Sequence, residues 1–159
     1  MRLSGVTTGL IVAAAVTLAA AMGMRADAAT EDWNDAGIKW MGYEDGLAAA
    51  KASKKPICLI FYTTWCPHCT NYSKVFKDAK LVDKSKSFVM IRLDKDKNKE
   101  ISAQYKPDGE YIPRTYFLSP DGKLDETLTA ERPQFKYFYP ENDPSGIIAG
   151  MDRALQKLK

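Results

Sequence analysis

The sequence predicts a single α/β domain, a central mixed sheet flanked by helices, with its elements in the order β-α-β-α-β-α-β-β-α. Three observations predict it. Ile57-Cys58-Leu59-Ile60-Phe61-Tyr62 is a continuous apolar run of the kind found in strands covered on both faces, strand-prone and helix-prone stretches alternate along the chain, and the C-terminal stretch is strongly amphipathic. The 159 residues leave room for one core, and 45% hydrophobic with 27% charged residues is a globular composition.

The first residues read as a targeting segment. Arg2 precedes an uncharged stretch rich in Ala, Val and Leu from Val6 to Ala21, and Ala26-Asp27-Ala28 offers small residues where a signal peptidase needs them. Residues 1–28 are therefore expected to be a signal peptide cleaved after Ala28, with the domain at 29–159; an uncleaved anchor over 4–24 is the competing reading. The C-terminus, Leu155-Gln156-Lys157-Leu158-Lys159, has no retention signal of the Lys-Asp-Glu-Leu type, so the expected location is an oxidising extracytoplasmic compartment, periplasmic or secreted, with a Gram-negative periplasm preferred. The net charge of +3 is small and its lysines interleave with acids, as in Asp94-Lys95-Asp96-Lys97-Asn98-Lys99-Glu100, which argues against a nucleic-acid partner.

Ile38-Lys39-Trp40-Met41 is a short first strand, and the Ala-rich Tyr43 to Ala52 is a helix that stops before Lys54-Lys55-Pro56. The apolar run at Ile57 to Tyr62 is the centre of the sheet. A helix follows from the cysteine pair through about Lys80, with Pro67 in its first turn and Val75, Phe76 and Ala79 at helical spacing. Ser87 to Leu93 is the next strand, and Asn98 to Tyr105 is a short helix stopped by Pro107-Asp108-Gly109. Thr115 to Leu118 and Lys123 to Leu128 flank Ser119-Pro120-Asp121-Gly122 as a β-hairpin. The last helix has Asp143 as its cap, Pro144 in its first turn, and Ile147, Ile148, Met151, Leu155 and Leu158 as one apolar stripe that should pack on the sheet.

The chemistry is concentrated in Trp65-Cys66-Pro67-His68-Cys69. Two cysteines one helical turn apart can close a disulfide with little movement. The unpaired N–H groups at a helix start favour the charged sulfur, which marks Cys66 as the nucleophile and Cys69, a turn deeper, as the resolving thiol. His68, the only histidine, sits between them with Pro67 and is positioned to tune the couple. Rival uses of the motif fare worse. Covalent haem attachment needs a His where Thr70 stands, and a structural zinc site needs four ligands where only Cys58 remains outside the motif. A static disulfide is the other alternative. Cys58, in the central strand, is expected to be a buried small hydrophobe without redox role. No bound cofactor or metal is needed, because the Cys66–Cys69 couple itself holds the electrons.

Trp65-Cys66-Pro67-His68-Cys69, the preceding Lys55-Pro56-Ile57, the run Tyr111-Ile112-Pro113-Arg114-Thr115-Tyr116-Phe117-Leu118-Ser119-Pro120-Asp121-Gly122-Lys123, and Lys136-Tyr137-Phe138-Tyr139 together resemble the thioredoxin-fold group that includes the small endoplasmic-reticulum thioredoxin-domain oxidoreductases and the anterior gradient proteins. The resemblance implies a thioredoxin fold and an exported thiol-disulfide oxidoreductase, acting as oxidase or isomerase. It also implies a cis Ile112–Pro113 peptide beside the cysteine pair, with Ile112 offering its main chain to an extended client and Trp65 lying over the site. The chain departs from thioredoxin itself at Ile60, six residues before Cys66, where thioredoxins have a buried acid. The implied partners are proteins with thiols or disulfides and a membrane or soluble redox partner, for a monomer. Two rival functions stay open: a polypeptide-holding module using the aromatic run Phe135, Tyr137, Phe138 and Tyr139, and a reductase for metal-site or cytochrome assembly.

Overall fold

The computed structural model describes residues 32–158, so the expected signal peptide at 1–28, its cleavage after Ala28 and the rival anchor lie outside the described residues. The order found is β1 (Trp40–Met41), α1 (Tyr43–Ser53), β2 (Ile57–Tyr62), α2 (Pro67–Ser73), a 3-10 turn (Lys74–Lys77), α3 (Ala79–Ser85), β3 (Val89–Asp94), α4 (Lys99–Gln104), β4 (Arg114–Leu118) and α5 (Pro144–Lys157). The sheet runs β1-β3-β2-β4, with β3 parallel to both β1 and β2 and β4 antiparallel to β2. The expected mixed α/β architecture stands, and the apolar run at Ile57 is its centre, buried from Ile57 through Phe61 because both neighbours and both faces are occupied.

Strand alternation divides the core in two. Cys58, Ile60 and Phe117 face a cluster built with α2, α3 and α5, including Tyr72, Phe76, Leu81, Ile147 and Met151, and this cluster also contains Cys66 and Cys69. Ile57, Leu59, Phe61, Tyr116 and Leu118 face the other cluster, closed by Ala50 of α1 and Tyr105 at the end of α4. Helix α1 lies so close to β3 that a Cβ on Gly46 would come within 2.3 Å of Ile91 Cδ1, which is why the helix tolerates a glycine there. The C-terminal helix starts as expected: the Asp143 carboxylate accepts from Ser145 N at 2.9 Å and Pro144 occupies the first turn.

Two expectations are corrected. The helix expected through Lys80 ends at Ser73, passes through the 3-10 turn, and breaks at Asp78, whose φ/ψ of −65/130 is extended. Asp78 then caps a new helix by accepting from Lys80 N and Leu81 N at 2.9 and 3.1 Å. The second strand of the hairpin, Lys123 to Leu128, is reduced to a single bridge between Leu118 and Leu124. The turn itself forms, with Gly122 N donating to Ser119 O at 2.8 Å and Gly122 at φ 79. Past Leu124 the chain leaves the sheet, because the Asp125 side chain accepts from Thr127 N at 3.0 Å and Asp125 O accepts from Leu128 N at 3.2 Å, folding the segment into a turn.

Candidate active site

The cysteine pair sits where the central strand gives way to a helix. Cys66 is the N-cap of α2, in extended conformation at φ −88 and ψ 114, and its carbonyl accepts from Cys69 N at 3.0 Å and Thr70 N at 3.1 Å. Pro67 occupies the first turn, as its fixed φ and missing N–H favour. Cys66 is 4% exposed and Cys69 fully buried. Both residues are buried, Cys66 being slightly the more accessible of the two. Cys58 is buried among apolar groups, and burial pushes its thiol up.

The helix is braced from below. Tyr72, one turn past Cys69, is fully buried and its hydroxyl shares a 2.8 Å hydrogen bond with Thr115 Oγ1 on β4. Its ring meets Trp33 and Phe76 edge-on, at centroid distances of 6.0 and 5.2 Å. The Tyr72–Thr115 bond ties the cysteine helix to the strand that begins just after Pro113. The Ile112–Pro113 peptide is cis, as the resemblance implies. The antiparallel register, with Phe61 opposite Arg114, puts Pro113 across from the end of β2 that leads into the cysteine motif, and Ile112 packs against the core cluster that holds both cysteines.

Trp65 is 69% exposed, and its indole N–H donates to Asp96 in the loop after β3 at 2.8 Å. His68 faces the other way. Its Nδ1 lies 2.9 and 3.1 Å from the two carboxylate oxygens of Glu141, and its ring meets Phe138 edge-on at 5.7 Å. The aromatic run splits between roles: Tyr137 and Tyr139 are buried core, Phe138 is half-buried against His68, and Phe135 is 50% exposed on Tyr111.

The loop before Pro113 is fixed by groups that sequence reasoning did not single out. Arg114 is fully buried and donates to Tyr105 O at 3.0 Å, Gly109 O at 2.9 Å and Ser102 Oγ. Tyr111 donates to the Asp108 carboxylate at 2.7 Å and accepts from Tyr137 N at 2.9 Å. Tyr111 and Arg114 stand in the run around Pro113, and Asp96 in the charged run after β3, but nothing local marks their contacts; Glu141 and Tyr72 carry no such signal, because their partners are far away in the chain.

A family model described as thioredoxin-like matches residues 39–120, which span the first strand, the cysteine motif and the Pro113 loop. This chain belongs to the thioredoxin-like family, a family of thiol-disulfide oxidoreductases. Among curated relatives, it is similar to the anterior gradient protein 2 homolog of Homo sapiens, 32% identical over 129 residues that cover 80% of this chain and 71% of that protein. It is likewise similar to anterior gradient protein 3 of Xenopus tropicalis, 30% identical over 131 residues covering 80% and 77%. Among solved structures, a thioredoxin from Thermus thermophilus superposes with a TM-score of 0.61 at 20% identity, over 76% of this chain and 89% of that one. A disulphide isomerase from Xylella fastidiosa Temecula1 gives 0.55 at 24% identity, over 85% and 99%. The two structures establish the thioredoxin fold for this thioredoxin-like chain.

Proposed function

We propose that this chain is an exported oxidoreductase that makes or rearranges disulfides in secreted proteins through Cys66 and Cys69. The observation behind the proposal is the placement of both thiols at one helix start, the slightly exposed Cys66 in front of the covered Cys69, on the sheet end that also presents Pro113. Oxidation of a client begins with the Cys66–Cys69 disulfide. A client thiolate attacks Sγ of Cys66, forming a mixed disulfide and releasing Cys69 as a thiolate. A second client thiolate attacks the client sulfur of that bond, leaving the client oxidised and the pair as a dithiol; two electrons and two protons have moved from client to enzyme. Isomerisation starts from the dithiol, with Cys66 attacking a client disulfide and Cys69 ending unproductive adducts by attacking Cys66 Sγ.

In this reading Pro67 and His68 tune the couple, while Trp65, Ile112 and Pro113 dock the client, Ile112 through its main chain. The two sulfurs hold the electrons without a cofactor. The uncharged, Ala-rich stretch read as a signal peptide at 1–28 supports a periplasmic or secreted location, with a monomer recharged by a membrane or soluble redox partner. Replacing Cys69 with Ser should trap clients as mixed disulfides on Cys66, read as reducible adducts on non-reducing gels. A Cys69→Ser protein expressed with its leader that forms no adducts contradicts the proposal.

Phe135 favours a second reading, a module that holds polypeptides with redox turnover incidental, because it is a large apolar side chain left half exposed at φ 52. That reading requires client protection to survive replacement of both cysteines by Ser.

A further inference from the structure

His68 is held by a single segment of chain that lies far from it in sequence. Glu141 presents both carboxylate oxygens to Nδ1, at 2.9 and 3.1 Å, from the short connection between buried Tyr139 and the capped start of α5. Phe138 of the same segment closes on the ring edge at 5.7 Å. Phe138 is held in turn by Arg132, whose guanidinium lies 5.0 Å from the ring centre and donates to Phe138 O at 3.0 Å. The anchors of this segment are firm: Tyr137 O accepts from Thr115 N at 2.9 Å, and the Asp143 carboxylate caps α5. Glu141 is the less exposed member of the pair, 20% against 62% for the His68 side chain, so the carboxylate is the fixed post and the imidazole the group it holds.

We propose that Glu141 is a positioning residue for the Cys66–Cys69 couple: by gripping His68 at Nδ1 it fixes the imidazole between the two cysteines in one tautomer and offsets its charge, making the couple less oxidising than the same motif with an unpaired His68. The inference rests on the redox reading of the pair given above. A carboxylate only accepts, so the proton sits on Nδ1 and Nε2 is left facing away from Glu141, toward solvent or client. The direction of the effect follows from counting charge. With Glu141 ionised, the pair has a net charge of zero when His68 is protonated and minus one when it is neutral. With glutamine in its place, the corresponding charges are plus one and zero. Removing the carboxylate therefore makes the surroundings of Cys66 more positive in either state of the ring. A more positive surrounding stabilises the thiolate of the reduced form, which raises the oxidising power of the disulfide.

The test is an equilibrium with glutathione, in which protein dithiol and oxidised glutathione give protein disulfide and two molecules of reduced glutathione, quenched with acid and read by alkylation and mass spectrometry. Glu141→Gln keeps an acceptor for Nδ1–H and removes only the charge. It should lower the equilibrium constant for disulfide formation at least threefold, about 14 mV toward the oxidising side at 29.6 mV per tenfold. In a His68→Ala background the same change should have a smaller effect, because the carboxylate then acts only through its own distant charge and no longer through the ring it positions. An unchanged constant, a shift toward the reducing side, or an equal shift in both backgrounds overturns the inference while leaving the redox reading intact. If the wild-type protein forms no Cys66–Cys69 disulfide at any glutathione ratio, the redox reading falls and the inference with it.

Discussion

The two faces of the sheet bury their polar groups in opposite ways. On the face that holds Cys66 and Cys69, the buried polar side chains are neutral, among them the thiols, the Tyr139 hydroxyl and the Tyr72–Thr115 hydroxyl pair. On the other face, Arg114 buries a full positive charge, its two terminal nitrogens donating to the Tyr105 and Gly109 carbonyls and the Ser102 hydroxyl while Nε is left without a partner, and it is laid 5.1 Å from the centre of the Phe61 ring. Among the described residues no carboxylate pairs with it; its partners are dipoles. The contrast teaches where a fold can place a charge that shapes a redox site without entering its chemistry. Arg114 pins the segment from Tyr105 to Gly109 that leads into Pro113, and it does so with the sheet between its guanidinium and the cysteine-bearing core.

The contrast can be broken most forcefully at Arg114. Arg114→Met keeps much of the apolar stem and deletes the donors, taking the guanidinium partner from the part-buried Gly109 carbonyl and the buried Ser102 hydroxyl while Tyr105 O keeps the Tyr116 hydroxyl, for a cost of about 2 kcal/mol. Urea denaturation checks this, and a loss below about 1 kcal/mol would show that the charge is not structural. The expected loss is in stability with the glutathione equilibrium of the folded protein nearly unchanged, since the mutated group lies on the far face.

A second effect is seen in alkali. Burial pushes up the Cys58 thiol and the Tyr72 and Tyr139 hydroxyls on the cysteine face, and Tyr105 and Tyr116 on the other. Because their folded-state values lie above the unfolded ones, these groups contribute stability that is full below the unfolded values, 9.0 for the thiol and 10.0 for the phenols, and is lost as pH rises beyond them. The unfolded chain releases protons that the fold retains. Cys58→Ala should make the decline between pH 9 and 10 shallower by about 1 kcal/mol, read from urea midpoints across that range. An identical slope in the two proteins would mean that Cys58 does not hold its proton in the fold.

The smallest expected effect is at the brace under the cysteine helix. Tyr72→Phe leaves Thr115 Oγ1 without its buried partner and should cost about 1 kcal/mol by the same urea measurement. A Thr115→Val partner change should then cost little more, as the two hydroxyls act as one pair. Additive losses would show that each hydroxyl is satisfied separately.

The parts of this molecule that were legible in the sequence are those governed by local rules. Ile57 to Tyr62 announced a central strand because continuous apolarity bounded by Pro56 has few other uses, and Asp143-Pro144 announced a helix start because cap and first-turn chemistry is local. The cysteine motif was legible for the same reason. The break at Asp78 was also within reach, since an Asp followed by two backbone donors is an N-cap signal, yet the periodicity of Val75, Phe76 and Ala79 bridged it. The missing last strand is a case of side-chain competition, with Asp125 capturing Thr127 N within a stretch whose composition alone suits a sheet. Glu141 was not legible at all. It meets His68 across 73 positions of chain, and no spacing rule connects a loop carboxylate to a histidine on another element.

The most direct test of the account is the order in which the three thiols of the folded, reduced protein react with iodoacetamide at pH 7, followed residue by residue by mass spectrometry. The account predicts that Cys66 is alkylated first, that disulfide exchange stops in step with it, and that Cys69 and Cys58 stay unmodified until the fold is opened. Alkylation of Cys69 or Cys58 ahead of Cys66, or exchange that persists once Cys66 is blocked, would contradict it.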